Sequence, residues 1–326
     1  MHGWQCPLSS TPPLGCRVNA GRRWAASPPD FAEKQNAVLE AYHRLGVKLE
    51  CTCTPYYINR TSYGEHIAWS ESSAVCYANS VIGARTNREG GPSALAAAIV
   101  GKTPYYGLHL WENRMPQVAF RVEADETLHA GHYGAIGYLA GKEAGNRVPF
   151  FYGLRPNRDQ LKALGAAMAA SGAVALYHVD GITPDSRVLQ ERGTDISALE
   201  TITITGEEIE AIFEERTVDA VAIGCPHCSE EELEEIAGLL KGKQVTKPLY
   251  IFAARGVAQA HPNLVGTIEQ SGGTSMGGHL YCCLARNGSL RHHYGQFRQG
   301  VCLCTEYVWR AGSSRFYRGM HCRCSG

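Results

Sequence analysis

The chain lacks a surplus of either charge: 31 Lys and Arg balance 31 Asp and Glu over 326 residues. A nucleic-acid binder carries a basic excess, so no nucleic-acid partner is expected. There is no apolar run of about 18 residues, the length a membrane span requires, so no membrane partner is expected either. The N-terminus lacks the apolar stretch and small-residue cleavage site of a secretory signal. Charged residues at 19% together with 36 glycines exclude a coiled coil, and 44% apolar content excludes wholesale disorder. Thirteen cysteines without a signal point to a reducing, cytoplasmic setting. There, cysteines serve as metal ligands or buried thiols more often than as disulfides.

The neutral balance is a cancellation. Residues 26–276 hold 30 acids against 21 Lys and Arg, a net of −9. Residues 1–25 hold Arg17, Arg22 and Arg23 and no acid, a net of +3. Residues 277–326 hold seven Arg, no Lys and one acid, Glu306, a net of +6, with six of the cysteines. This divides the chain into an atypical N-terminus (1–25), a core (26–274) and an Arg- and Cys-rich tail (275–326).

Within the core, Phe31–Leu45 reads as a helix capped by Asp30 and stopped by Gly46. Val47–Cys53 alternates like a strand, which would put Cys51 and Cys53 on one face. Ser93–Val100 is helical, with Pro92 in its first turn. Strands are expected at Val118–Val122, Val148–Tyr152 and Ala173–His178. Between them lie helices at Gly131–Ala140, whose glycines allow close approach of backbones, and Arg158–Ala170. A second unit follows: strand Val218–Gly224, helix Ser229–Leu240 capped by Ser229, and strand Leu249–Ala253. Alternating strands and helices predict an α/β fold of mostly parallel sheet in βαβ units, with helices on both faces. Ligands in such sheets gather at the C-terminal strand ends, which puts His178 and Cys225 at functional edges.

Cys225 follows an apolar strand and precedes a helix, where the positive helix end favours thiolate and hence metal ligation. A packed structural thiol is the plain alternative. Cys225 and Cys228 also have the spacing of a redox dithiol. Residues 79–93 (NSVIGARTNREGGPS) set Arg85 and Arg88 in a Gly-rich loop before a helix, which reads either as a clamp for a carboxylate or phosphate or as a solvated turn. Glu71 and Ser72 offer the carboxylate and hydroxyl that acid–base work on a hydroxylated substrate would use. His66, His109, His132 and His178 read as satisfied or surface histidines.

Five stretches together resemble the aconitase X family, in its catalytic domain or large subunit. They are CTCTPYY (51–57), the long run from Gly64 to Leu110, HYGAIGYLAG (132–141), ALYHVDGITPD (175–185) and AIGCPHCS (222–229), spread in order over about residues 25–273. The resemblance implies an aconitase-like fold and a hydro-lyase that removes water from a small hydroxylated acid with the help of an iron–sulfur cluster. Family substrates include cis-3-hydroxy-L-proline and phosphomevalonate, and a small swivelling-domain subunit is the implied partner. It also implies Cys53 and Cys225 as two of three cluster ligands, and Glu71 and Ser72 as substrate-contacting and catalytic residues. Arg85 and Arg88 are our own addition as substrate-binding residues.

The resemblance stops near residue 275. The family continues with Asp-Thr-Cys, whose Cys is the third ligand, and later with Asn-Ser-x-Lys, whose Lys contacts substrate. Back-translated and read one base later, Gly278-His279-Leu280 becomes Asp-Thr-Cys with permitted codons, and the frame runs on through Asn-Ser-Gly-Lys. The tail therefore reads as an out-of-frame translation, with the ligand falling at Leu280 and the lysine at Gln299. That leaves open whether this chain is active, and a non-catalytic α/β remnant or partner-binding domain stays as an alternative. Cys282 or Cys283 is the only local substitute ligand. The family's N-terminal Gly-Val-Ser substrate loop has no counterpart in residues 1–25.

Overall fold

The computed structural model of the protein describes residues 29–124, 128–214, 221–278, 307–308 and 316–318. The chain opens with helix α1 (Pro29–Arg44), a short helix α2 (Ser72–Tyr77) running into a wide turn at Ala78–Ile82, and α3 (Gly91–Val100). Then come β1 (Val118–Glu123), α4 (Ala130–Ala144), β2 (Pro149–Tyr152), α5 (Arg158–Gly172), β3 (His178–Val179) and α6 (Pro184–Glu191). β4 (Thr201–Thr205), α7 (Gly206–Glu210) and β5 (Phe213–Glu214) close this part. The remainder is β6 (Val221–Cys228), α8 (Glu230–Leu240), β7 (Leu249–Ala253), α9 (Arg255–Ala260), α10 (Pro262–Gln270) and β8 (Thr274–Gly277), with the short strands β9 (Tyr307–Val308) and β10 (Phe316–Arg318).

Two parallel sheets result, confirming the α/β expectation. The first has the order β3-β2-β1-β4, with Phe120 of β1 in register with Phe151 of β2 and Ile202 of β4. The second has the order β6-β7-β8. A small third sheet pairs β10 with β5 and β9. Val118, Phe120 and Phe151 pack with Tyr133 and Ile136 of α4 and Leu164 and Met168 of α5 in the main core. Ile223, Leu233, Ile236 and Ile251 form a separate core for the second sheet.

The two long helices touch through glycine. A Cβ on Gly172 would sit 1.9 Å from the Gly141 carbonyl oxygen, and one on Gly137 would sit 2.4 Å from that of Leu164. The small-residue run 131–141 thus has a packing reason, as expected. α8 also starts as expected. Ser229 accepts the Glu232 N–H at 3.0 Å and Glu232 returns to the Ser229 N–H at 2.9 Å, which satisfies two otherwise orphaned amides.

Several expectations need correction. Val47–Cys53 is not a strand: none of the described residues pairs with it, and Cys51 takes a left-handed φ of 49° that breaks the alternation. Of the expected strand 173–178 only His178 pairs with β2; β3 is shifted to His178–Val179. β6 runs on to Cys228, and its register with β7 shifts between Ile223 and Cys228. Cys225 therefore lies in an irregular strand end, not at a helix N-terminus. β4, α6, α7, α9, α10 and β8 were not anticipated. Among the described residues, no helix is long and apolar enough to cross a membrane. The tail positions Leu280, Cys282, Cys283 and Gln299 lie outside the described residues, as do residues 1–25.

Candidate active site

The irregular end of β6 meets the segment after α1. Thr52 organises that segment by accepting the Thr54 N–H at 3.0 Å and sharing a hydrogen bond with the Thr54 hydroxyl at 3.0 Å. Thr52 also shares a 3.0 Å hydrogen bond with Nδ1 of His227, across 175 residues. The His227 backbone N–H donates to Sγ of Cys53 at 3.1 Å. The Cys225–Pro226 peptide is cis.

Cys53 is buried, and burial raises its thiol pKa well above the ordinary value. Glu71 and Cys225 lie close enough to push it further in the same direction, while the His227 N–H and Lys162 oppose them. The charges of Glu71 and Cys225 thus both reach Cys53. Burial raises the Cys51 thiol pKa, with Arg255 opposing and Glu50 adding to the rise.

Glu71 caps α2. Its Oε2 accepts the Ala74 N–H and the Ser73 hydroxyl, each at 2.6 Å. Burial raises its carboxyl pKa, with the Ser73 hydroxyl and backbone N–H groups pulling the other way and Ser72 adding a smaller contribution. Ser72 itself is exposed. The carboxyl is thus held in place and biased toward uptake of a proton, which suits acid–base work.

The two arginines of the loop separate. Arg85 is buried and turned inward. Its guanidinium spans both oxygens of Asp185 at 3.1 and 3.2 Å, and the Arg114 Nε donates to the same carboxylate at 2.8 Å. Burial alone would raise the Asp185 pKa, but Arg114 and Arg85 together hold it below the usual range. Arg85 is therefore committed to the fold and is withdrawn as an anion clamp. Arg88 is exposed and makes no hydrogen bond or ion pair with the described residues, yet its charge reaches Cys76 on α2. Its loop is stiff: Asn79 bonds to Thr86 through both ends of its side chain and to the Ala175 carbonyl, and the Glu89 N–H reaches the Trp69 carbonyl at 3.1 Å.

His178 is not at a functional edge. It is fully buried, with Nε2 on the Arg114 carbonyl at 2.8 Å. His132 is satisfied by the His129 N–H and Glu210, and His66 pairs with His109 at 2.8 Å. Cys228 is fully buried among Val221, Ile223 and Ile251, so it packs as a small hydrophobe and the dithiol reading is not favoured. Among the described residues, no group of three or more His, Cys, Asp or Glu is arranged to hold a metal. Cys53 and Cys225 supply two thiols, one already accepting a backbone N–H as ligating sulfurs commonly do. As thiols, both are of the donor type that iron–sulfur clusters take. Sequence reasoning missed Lys162, His227, Arg114 and Asp185. No local pattern marks them, because their partners lie far along the chain.

The described residues form a parallel-sheet α/β protein in which the His227 N–H ties Cys53 to the end of β6 that carries Cys225. Family models described as the first, second and third domains of aconitase X match residues 16–112, 116–214 and 218–294. The first and third matches extend past the boundaries at 26 and 274 read from composition. The phosphomevalonate dehydratase large subunit of Methanosarcina mazei is 53% identical over 80% of this chain and 65% of the relative. That of Methanothermobacter thermautotrophicus is 47% identical over 81% and 67%. The cis-3-hydroxy-L-proline dehydratase of Pseudomonas aeruginosa is 34% identical over 68% and 40%. The crystal structure of Thermococcus kodakaraensis aconitase X in its holo-form superposes with a TM-score of 0.74 at 46% identity, covering 79% of this chain and 68% of that one. The chain belongs to the aconitase X family. It spans 65% and 60% of the length of the Methanosarcina and Thermococcus phosphomevalonate dehydratase large subunits.

Proposed function

We propose that this chain is the catalytic part of an aconitase X hydro-lyase that removes water from a small hydroxylated acid, with phosphomevalonate as the preferred substrate. The convergence of Glu71 with Cys53 and Cys225 carries the reading. Relatives named phosphomevalonate dehydratase reach 53% identity and those named cis-3-hydroxy-L-proline dehydratase 35%, which supports the phosphorylated substrate. The words "large subunit" in the former names support a small-subunit partner.

In this reading Cys53 and Cys225 hold two positions of an iron–sulfur cluster. When bound, such a cluster supplies a Lewis acid for a hydroxyl leaving group. The chain's own residues do the rest. Arg88 binds the substrate's anionic end, because a guanidinium matches carboxylate or phosphate oxygens. Glu71 Oε2 holds or takes a proton at the reacting carbon or oxygen, fixed by Ala74 and Ser73. Ser72, exposed beside it, offers its hydroxyl to the substrate. The third ligand is expected where Leu280 stands, and we retain the out-of-frame reading of the tail as the reason it is missing. Sequencing the coding DNA through codon 275 tests that reading, and an uninterrupted frame there overturns it.

The test of function uses the chain with its frame restored, co-expressed with a small subunit and loaded anaerobically with iron and sulfide. Water loss from phosphomevalonate and from cis-3-hydroxy-L-proline is followed by mass spectrometry. Glu71→Gln is expected to lower turnover by about a hundredfold at unchanged iron content. Arg88→Ala is expected to raise KM about tenfold, the loss of one charged hydrogen bond. Failure of the restored chain to bind iron, or full turnover by Glu71→Gln, overturns the proposal.

A further inference from the structure

We propose that Lys162 is the positioning residue of the Cys53–Cys225 site: its ammonium fixes the turn that carries Cys225 against the segment that carries Cys53. This rests on the reading of those two cysteines as a ligand pair.

Lys162 lies on α5 with 2% of its surface exposed. A buried ammonium persists only where it is paired and hydrogen-bonded. Here it forms a close ion pair with Glu232 on α8 and a second with Asp159 at 3.2 Å, and it donates to the His227 carbonyl at 3.3 Å. The Tyr57 ring lies 5.5 Å from it. These groups come from all three of the matched domains: Tyr57 from the first, Asp159 and Lys162 from the second, His227 and Glu232 from the third. One side chain therefore stands at the junction of the whole core.

What it holds there is specific. His227 is bound on three sides: its N–H to Cys53 Sγ, its ring to Thr52, and its carbonyl to Lys162. The same cluster secures the end of the turn, because Ser229 donates its hydroxyl to Asp159 at 3.0 Å and its N–H to Glu232 at 2.9 Å. Tyr57 closes the ring by donating to Asp159 at 3.2 Å. Removing the ammonium frees the His227 carbonyl and leaves two carboxylates facing each other. The His227 N–H is then no longer aimed at Cys53, and Cys225 loses its fixed distance from it.

Thiol cross-linking of the full chain under anaerobic conditions tests this without any bound cluster. Dibromobimane, which joins two thiols only when they are adjacent, is applied and the Cys53–Cys225 product is quantified by peptide mapping. Alkylation of Cys76, a fully buried thiol, reports global opening in the same digest. Lys162→Met is compared with Lys162→Met/Glu232→Gln, the second neutralising one of the two stranded carboxylates so that they no longer repel and the fold is retained. Both variants are expected to cross-link about tenfold more slowly, the order expected for losing one charged hydrogen bond, with Cys76 alkylation unchanged. If the unmodified chain gives no cross-link, the ligand-pair reading falls and this inference with it. If the unmodified chain cross-links and both variants match it, Lys162 alone is misassigned. Faster Cys76 alkylation or loss of fold in both variants assigns the lysine to general stability and overturns the inference.

Discussion

His178 makes the protein acid-sensitive, and the size of the effect follows from its surroundings. Its ring is fully buried in β3, Nε2 donates to the Arg114 carbonyl at 2.8 Å, and Nδ1 is buried without a partner among the described residues. Burial pushes its pKa down from an ordinary 6.5 to about 4; the Arg114 carbonyl and Asp185 pull up, and the Arg114 and Arg85 guanidiniums push down. The unfolded chain thus takes up a proton near pH 6.5, whereas the folded chain resists it until about pH 4. Stability from this group is complete above the first value and declines as pH falls toward the second. At pH 5 the linkage amounts to about 2 kcal/mol. Urea unfolding at pH 7 and pH 5 measures it, in the unmodified chain and in His178→Gln, which keeps a donor for the Arg114 carbonyl but does not titrate. The unmodified chain is expected to lose about 2 kcal/mol more than the variant over that interval. His109, also lowered by burial, contributes with the same sign to both proteins and cancels. Equal losses in the two would refute the argument that His178 is held neutral.

The helix contact and the buried ion cluster yield further outcomes. Gly172→Ala places a Cβ against the Gly141 carbonyl, so urea unfolding is expected to show a loss of about 1–3 kcal/mol or more as α4 and α5 part. Gly238→Ala on α8 meets nothing within 4 Å and is exposed, so the same assay is expected to show a gain of about 0.5–1 kcal/mol. Asp185→Asn leaves the Arg85 and Arg114 guanidiniums buried without their carboxylate and is expected to cost about 3 kcal/mol in thermal or urea unfolding.

Where periodicity and capping are strong, the sequence was legible. Leu249–Ala253 appears as a strand with the expected bounds, and the Ser229 cap, the Pro92 first turn and the small-residue helix 131–141 all appear. Thr201–Thr205 alternates just as plainly and was overlooked. Val47–Cys53 alternates too, yet forms no strand. Alternation shows a chain suited to a sheet, whereas a strand also requires a neighbour to accept its hydrogen bonds. β6 shows the converse. It outruns its apolar stretch because Cys228 finds Ala253 of β7 to pair with.

The sequence by itself determined the helices α1, α3, α4, α5 and α8, the strands β1, β2, β6 and β7, the parallel α/β class and the family, since each rests on short-range patterns. It also brought forward Cys53, Cys225 and Glu71 through their matching stretches. Only the tertiary structure decided which charged groups turn inward. Arg85 and Arg88 sit three residues apart in one loop and look alike in sequence. One is buried against Asp185, 100 residues on, and the other is left in solvent. Lys162 looks like any helix-surface lysine until Glu232, 70 residues away, and the His227 carbonyl close around it. Such choices depend on which partner a side chain meets once the core has closed, and local periodicity carries no record of that partner.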